Sequence, residues 1–217
     1  MIEIGAPDGT RIAVWRSGRG EPLVLVHGTS ADHTRWARVL PELEQRFTVF
    51  AVDRRGRGAS GDAARYALEL EIQDVTAVVD AVGGPVTLLG HSYGGICSLE
   101  AALRTPAVAR LILYEPPIPT DVEIYVPGMI DRMDALLEAG DNEAVLTTFM
   151  TEVVRMPADE FAHFRSLPGW DDRVAAAHTV VREIHAHAEY RFEPERWRDF
   201  TTPTLLLLGG DSPPLFA

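Results

Sequence analysis

Five short runs of the chain are apolar on both of their alternating faces. They comprise residues 22–26, 47–52, 85–89, 108–114 and 204–208. A strand with this pattern has to be covered on both faces, as in a parallel sheet that carries helices on each side. This feature restricts the fold of the chain more than any other.

Helical patterns alternate with the first of these runs. The clearest stripe is Leu68, Ile72, Val75, Val79 and Val82, and a weaker one contains Trp36, Val39, Leu40 and Leu43. Strands that alternate with helices predict a doubly wound, mostly parallel sheet of the α/β class. An antiparallel strand at 11–16, after a turn at Asp8-Gly9, is predicted to precede it.

The alternation breaks after Tyr114, because about 90 residues separate that run from the next, far more than one crossover helix needs. The intervening spacing predicts helices near 129–137 and 145–153 and one longer helix over 174–188. We therefore predict a core of residues 1–116 and 200–217 and a helical insert of residues 117–199.

A serine between two glycines stands where the third apolar run meets a helical pattern. Residues 90–95 read GHSYGG, and the helical pattern follows at 96–103. A sharp strand-to-helix turn strains the central residue, and side chains at positions 90 and 94 would collide, which Gly90 and Gly94 avoid. This arrangement is typical of a nucleophile elbow, so Ser92 is the candidate nucleophile.

A second loop follows the first apolar run and reads His27-Gly28-Thr29-Ser30. Gly28 lets backbone amides face the same edge of the sheet as Ser92. The amides of Thr29 and Tyr93 are candidates for an oxyanion hole, which would hold the negative charge of a reacting carbonyl oxygen. His27 and Gly28 are predicted to have structural roles.

These motifs make the chain similar to the α/β-hydrolase family. The matching residues are His27-Gly28, the segment 53–60 (DRRGRGAS) and the Ser92 elbow, in that order. The resemblance covers about residues 10–115 and resumes near 201, and the insert matches the family's variable cap only in position. Segment 53–60 is expected to be structural.

The resemblance implies a reaction as well as a fold. The branch of the α/β-hydrolase family that the chain resembles includes esterases, cofactor-free haloperoxidases, epoxide hydrolases and haloalkane dehalogenases. The last two use an aspartate nucleophile. Serine at position 92 instead implies acyl transfer, with cleavage of a small ester, thioester or lactone through an acyl-enzyme.

The resemblance also implies a carboxylate and a histidine that act with Ser92. The carboxylate is Asp211, after the run at 204–208, or Glu115, after the run at 108–114; Asp211 is favoured, although its spacing is one residue shorter than the commonest pattern. The family's histidine follows a later strand. We expect the sequence to lack that histidine, with roughly 45 further residues, and to be inactive as given.

Composition excludes several other classes of protein. The formal net charge of −12 argues against a nucleic-acid partner. All 20 basic residues are arginine, so Schiff-base and phosphate-loop lysine chemistry is excluded. The single cysteine, Cys97, cannot form an internal disulfide, and His185 and His187 diverge on a helix, so no cofactor or metal is expected.

The expected partner is therefore a small acyl substrate. Because no signal peptide or membrane span is evident, a cytoplasmic location is expected. The run at 204–208 should form an open sheet edge, so self-association is also expected. Two alternatives remain open: a non-catalytic binder of small ligands, and a cofactor-free perhydrolase in which peroxide replaces water.

Overall fold

A single sheet of seven strands forms the centre of the described protein. The structure is a computed structural model that describes residues 1–119, 124–210 and 212. The strands are β1 Ile2–Gly5, β2 Arg11–Gly18, β3 Glu21–Val26, β4 Phe47–Val52, β5 Val86–His91, β6 Val108–Tyr114 and β7 Thr204–Leu207. Their order is β1-β2-β4-β3-β5-β6-β7. Strand β2 pairs antiparallel with both β1 and β4, and the other pairs are parallel. The prediction of an α/β fold with a mostly parallel sheet is confirmed.

Helices connect the strands and cover the sheet. They are α1 Leu40–Leu43, α2 Leu68–Val82, α3 Tyr93–Ala102, α4 Met129–Glu138, α5 Asn142–Thr148, α6 Ala158–Ser166, α7 Trp170–Ala175 and α8 Ala177–Glu189. Short 3-10 turns occupy His33–Trp36 and Pro194–Trp197, and a π turn at Phe149–Val153 extends α5.

Strand β3 shows why the apolar runs need cover on both sides. Leu23 and Leu25 are buried with Trp36 in a cluster on one face of the sheet. Val24 and Val26 belong to a larger cluster on the other face, which includes residues of α2 and α3. Successive strand side chains point to opposite faces, so an apolar run of this length contributes to both clusters.

Two features differ from the sequence-based expectations. Strand β1 pairs antiparallel with β2 and was not foreseen, because its four residues form too short an alternation. The long helix predicted over 174–188 corresponds to α8 except at its start: a turn at Ala176 separates α7 from α8, and the Thr179 hydroxyl donates to the Ala176 carbonyl there at 2.6 Å.

Helices α4 to α8 share a hydrophobic cluster of their own, which includes Met133, Leu146 and Ile184. It lies within the predicted insert, whose boundaries stay a prediction. Strand β7 is an edge of the described sheet, and Leu205 and Leu206 in it are more than half exposed. Within the described ranges, no helix combines the length and apolar character needed to cross a membrane.

Candidate active site

Ser92 occupies the turn between β5 and α3. Its backbone has φ +53° and ψ −127°, a conformation that costs a non-glycine residue on the order of 1–3 kcal/mol. The Ser92 amide donates to the Tyr114 carbonyl at 2.9 Å, and the Gly95 amide donates to the Ser92 carbonyl at 2.7 Å. These bonds hold the serine in the strained geometry that sequence reasoning expected at this position.

Glycines on either side of Ser92 allow the turn to pack closely. A Cβ atom on Gly94 would clash with the carbonyl oxygen of His27, and one on Gly90 would clash with the carbonyl oxygen of Gly94. Helix α3 therefore begins directly against the loop that follows β3. This contact brings the Ser92 turn and the Thr29 loop together.

The sheet order explains why these two loops border a crevice. The chain runs from β3 to β4 on one side and then crosses back to β5 on the other side of β3. Loops at the carboxyl ends of β3 and β5 separate at such a switch point and leave a crevice, which is the usual ligand site of open α/β sheets. Thr29 follows β3, and Ser92 follows β5.

A small, partly open cavity lies at this crevice. Its polar lining consists of Thr29, Ser92, Tyr125, Glu183 and His187. Its apolar lining includes Ile124, Phe149, Val153, Val154 and Ile184. The cavity therefore presents one strained serine to a small, mostly apolar space, and Tyr93 at the first position of α3 also borders it.

His27 and Asp53 hold the loops behind this cavity. His27 is fully buried, its ring lies 2.8 Å from the Gly28 carbonyl, and its Nε2 accepts the Arg54 amide at 3.1 Å. The Asp53 carboxylate accepts from the Trp15 indole at 2.9 Å and the His33 amide at 2.8 Å. Segment 53–60 thus satisfies loop amides, as expected for a structural motif.

A buried charge cluster connects the loop after β4 to helix α8. The Arg54 guanidinium donates to Glu71 at 2.7 and 3.0 Å and to Glu183 Oε1 at 2.5 Å. Arg57 also donates to Glu183 Oε1. Burial favours a neutral Glu183, but the two guanidinium groups outweigh that effect and lower its pKa. Glu183 is therefore a buried, ionised carboxylate in the cavity wall.

His187 and Tyr125 form a second polar group in the wall. The Tyr125 hydroxyl lies 2.7 Å from His187 Nδ1, and His187 Nε2 lies 2.6 Å from the Pro117 carbonyl oxygen. Burial lowers the pKa of His187 and raises that of Tyr125. Sequence reasoning missed Glu183 and His187, because helical spacing alone did not reveal which face of α8 covers the crevice. It also missed Tyr125, which lies before α4 in a segment without a periodic pattern.

Glu115, one of the two candidate acids, directly follows β6 at the carboxyl edge of the sheet. Glu115 has φ +48°, and its Oε1 accepts from the Gly209 amide at 3.2 Å and from the Ser212 hydroxyl. Glu115 Oε2 has no hydrogen-bond partner among the described residues, so it can accept another donor. Asp211 lies outside the described residues.

None of the described hydrogen bonds joins a histidine ring to Ser92 Oγ. The rings bond elsewhere: His27 to Gly28 and Arg54, His33 to Asp53, His185 to Asp134, and His187 to Tyr125 and Pro117. His91 packs against Trp36 and Tyr114. The base that a serine nucleophile requires is therefore not provided by these contacts.

One group of side chains has the composition of a metal site. Ligand atoms of Asp32, His33 and Asp53 all lie within 4.8 Å of one another. However, Asp32 accepts the Thr34 amide at 2.8 Å, and His33 Nδ1 lies 2.8 Å from Asp53 Oδ1. Protein donors already engage these atoms, so the group functions as a loop anchor.

Comparison with known proteins identifies the family. A family model described as "Alpha/beta hydrolase family" matches residues 23–217. The chain belongs to the α/β-hydrolase family, as the resemblance in the sequence indicated.

Among solved structures, an α/β hydrolase from Sphaerobacter thermophilus is 38% identical, with a TM-score of 0.88 over 99% of this chain and 84% of that one. An esterase from Rhodococcus sp. ECU1013 is 27% identical, with a TM-score of 0.71 over 94% of this chain and 78% of that one. The probable oxidoreductase EphD of Mycobacterium tuberculosis is 35% identical over 118 residues, which are 51% of this chain and 20% of that protein. The match thus spans about a fifth of the length of that curated relative.

Proposed function

We propose that this protein is a serine hydrolase that cleaves a small ester, thioester or lactone through an acyl-enzyme. The observation that carries the proposal is Ser92, held at φ +53° between β5 and α3 and open to an apolar cavity. The similarity to an esterase supports the choice of an ester substrate.

In the proposed reaction, Ser92 Oγ attacks the carbonyl carbon of the substrate while its proton passes to a base. The carbonyl oxygen becomes an oxyanion, and the amides of Thr29 and Tyr93 stabilise it. The amide of Tyr93 is suited to this role because the first amides of a helix have no partner within the helix. The alcohol or thiol then leaves with a proton, and water hydrolyses the acyl-serine.

The base is a histidine that none of the described contacts supplies. We propose Glu115 as the carboxylate that orients it, because Oε1 is anchored by two donors and Oε2 remains available. Asp211, which the sequence favoured, is the alternative. The 217-residue chain alone is therefore expected to turn over ester substrates very slowly, and added imidazole should accelerate it by supplying the missing base.

The experiment measures p-nitrophenyl butyrate hydrolysis with and without imidazole. The protein-dependent part of the imidazole-stimulated rate, which is the excess over imidazole without protein, should vanish in Ser92→Ala. It should persist in Ser98→Ala, a control that removes a buried α3 hydroxyl without a partner among the described residues. An equal protein-dependent rate in Ser92→Ala, after subtraction of the hydrolysis by imidazole alone, would overturn the proposal. Rapid turnover without imidazole, lost in Ser92→Ala, would contradict only the argument about the base.

A non-catalytic ligand binder is the second candidate, and the absence of a described histidine contact to Ser92 favours it. A binder would bind small esters without forming an acyl-enzyme. Mass spectrometry of the chain treated with p-nitrophenyl butyrate and imidazole separates the two, because only a hydrolase gains the butyryl mass on Ser92.

A further inference from the structure

The hydrogen bonds of His187 fix the direction of the hydrogen bond that Tyr125 makes. The Pro117 carbonyl can only accept, so His187 Nε2 must carry a proton and donate it. Burial keeps the imidazole neutral, so Nδ1 is an acceptor. The Tyr125 hydroxyl must then donate to Nδ1, which leaves the lone pairs of its oxygen as acceptors in a side chain that lines the cavity.

Glu183 presents a second acceptor in the same wall. Both guanidinium groups bind Oε1, and Oε2 is buried without a hydrogen-bond partner among the described residues. The Thr29 hydroxyl lies close enough to help lower the pKa of Glu183, but it does not complete a hydrogen bond to Oε2. A buried acceptor without a donor costs free energy that a suitable ligand would recover.

The charges around Glu183 indicate the charge of that ligand. Two arginines, Arg54 and Arg57, face two carboxylates, Glu71 and Glu183, so the cluster is balanced before a ligand enters. A cationic ligand would lose its hydration without meeting a net negative charge, whereas a neutral donor loses less. An anionic ligand would face the unpaired oxygens of two acceptors.

We propose that the cavity selects a neutral acyl substrate whose short chain carries a hydroxyl or N–H donor, bound by the Tyr125 oxygen and Glu183 Oε2. Phe149, Val153 and Ile184 would contact the rest of the chain. This inference rests on the proposed function, since it takes the substrate of Ser92 to be the occupant of the cavity. Tyr125 and Glu183 then determine specificity.

The test measures binding in the Ser92→Ala protein, in which hydrolysis cannot interfere. Calorimetric titrations compare methyl butyrate, methyl 2- and 3-hydroxybutyrate, the corresponding methoxy esters and methyl 3-aminobutyrate. One hydroxy ester should bind about tenfold more tightly than its methoxy counterpart, as expected for one hydrogen bond to a well-placed acceptor. The ammonium ester should bind no better than methyl butyrate.

Tyr125→Phe in the same background should reduce that preference to less than about threefold. Tyr190→Phe is the matched control, because the Tyr190 hydroxyl bonds Glu100 at 2.7 Å and is not part of the cavity wall; it should leave the preference intact. Thermal unfolding of both variants verifies that each is folded.

Equal binding of hydroxy and methoxy esters, tightest binding of the ammonium ester, or no binding of any ester would each overturn the inference. The experiments distinguish a failure of this inference from a failure of the proposed hydrolysis by Ser92. If Ser92 proves not to be a nucleophile, a donor preference in this assay still stands. If hydrolysis is confirmed and the preference is absent, only the specificity argument is wrong.

Discussion

Replacement of Glu183 by glutamine tests the buried charge cluster that joins α8 to the loop after β4. The Glu183 side chain is 1% exposed, and its Oε1 is shared by Arg54 and Arg57. Arg54 keeps its two bonds to Glu71, but the carboxylate nearest to Arg57 would then be Glu71, at 3.9 Å. The variant therefore leaves one uncompensated positive charge in the interior.

Loss of one partner from a buried ion pair costs about 3–5 kcal/mol. The glutamine oxygen can still accept a hydrogen bond, so we expect the lower end, about 3 kcal/mol, in the free energy of unfolding measured with urea at pH 7. Glu152→Gln removes the exposed pair with Arg132 and should cost less than about 1 kcal/mol. A loss below about 1 kcal/mol for Glu183→Gln would refute the reasoning.

The pH dependence supplies a second measure of the same interaction. Arg54 and Arg57 lower the pKa of Glu183 in the folded protein below its ordinary value of 4.5, despite burial. The stabilisation is therefore complete above the unfolded pKa and is lost as the pH falls through the folded value. The difference between the wild type and Glu183→Gln should stay constant from pH 7 to about pH 5.5 and shrink as the pH falls below 4.5. A difference that stays constant down to about pH 3 would contradict this assignment.

Three further predictions concern packing, a buried imidazole and the single thiol. Gly94→Ala should lower the urea midpoint sharply because its Cβ would clash with backbone atoms, whereas Gly5→Ala, with no atom within 4 Å of the added carbon, should change it little. Burial lowers the pKa of His187, so protonation of the unfolded chain below pH 6.5 favours unfolding; the stability of His187→Gln should fall less than that of the wild type between pH 7.5 and 5.5. Cys97 is fully buried and its pKa is raised by burial, so Ellman's reagent should label it only after unfolding, and rapid labelling of the native protein would refute its placement.

The cavity derives its chemistry from parts of the chain that are far apart in sequence. Ser92 and Thr29 come from loops of the sheet, whereas Tyr125, Glu183 and His187 come from the helical region that follows β6. Arg173 strengthens this connection by donating to the Ser30 carbonyl. Substitutions in α7 and α8 should therefore affect substrate preference without altering the Ser92 turn.

The sequence by itself determined the elements whose signals are local. Strands β4 and β6 and helix α2 begin and end at the residues of the apolar runs 47–52 and 108–114 and of the stripe from Leu68 to Val82. Burial of both faces of a strand, or of one face of a helix, produces a pattern of apolar residues that the sequence shows directly. The Ser92 turn was also predictable, since its serine and both glycines stand together in the six residues 90–95.

Only the tertiary structure decided which side chains share the cavity. The break at Ala176 and the rotation of α8 placed Glu183 and His187 over the crevice, while His178 and His185 on other faces contact Asp62 and Asp134. Helical spacing does not predict which of these four side chains is buried, because it defines only their relative angles around one helix and not what each face packs against. That choice comes from long-range packing against the Arg54 loop, and with it came the two acceptors that define the proposed specificity.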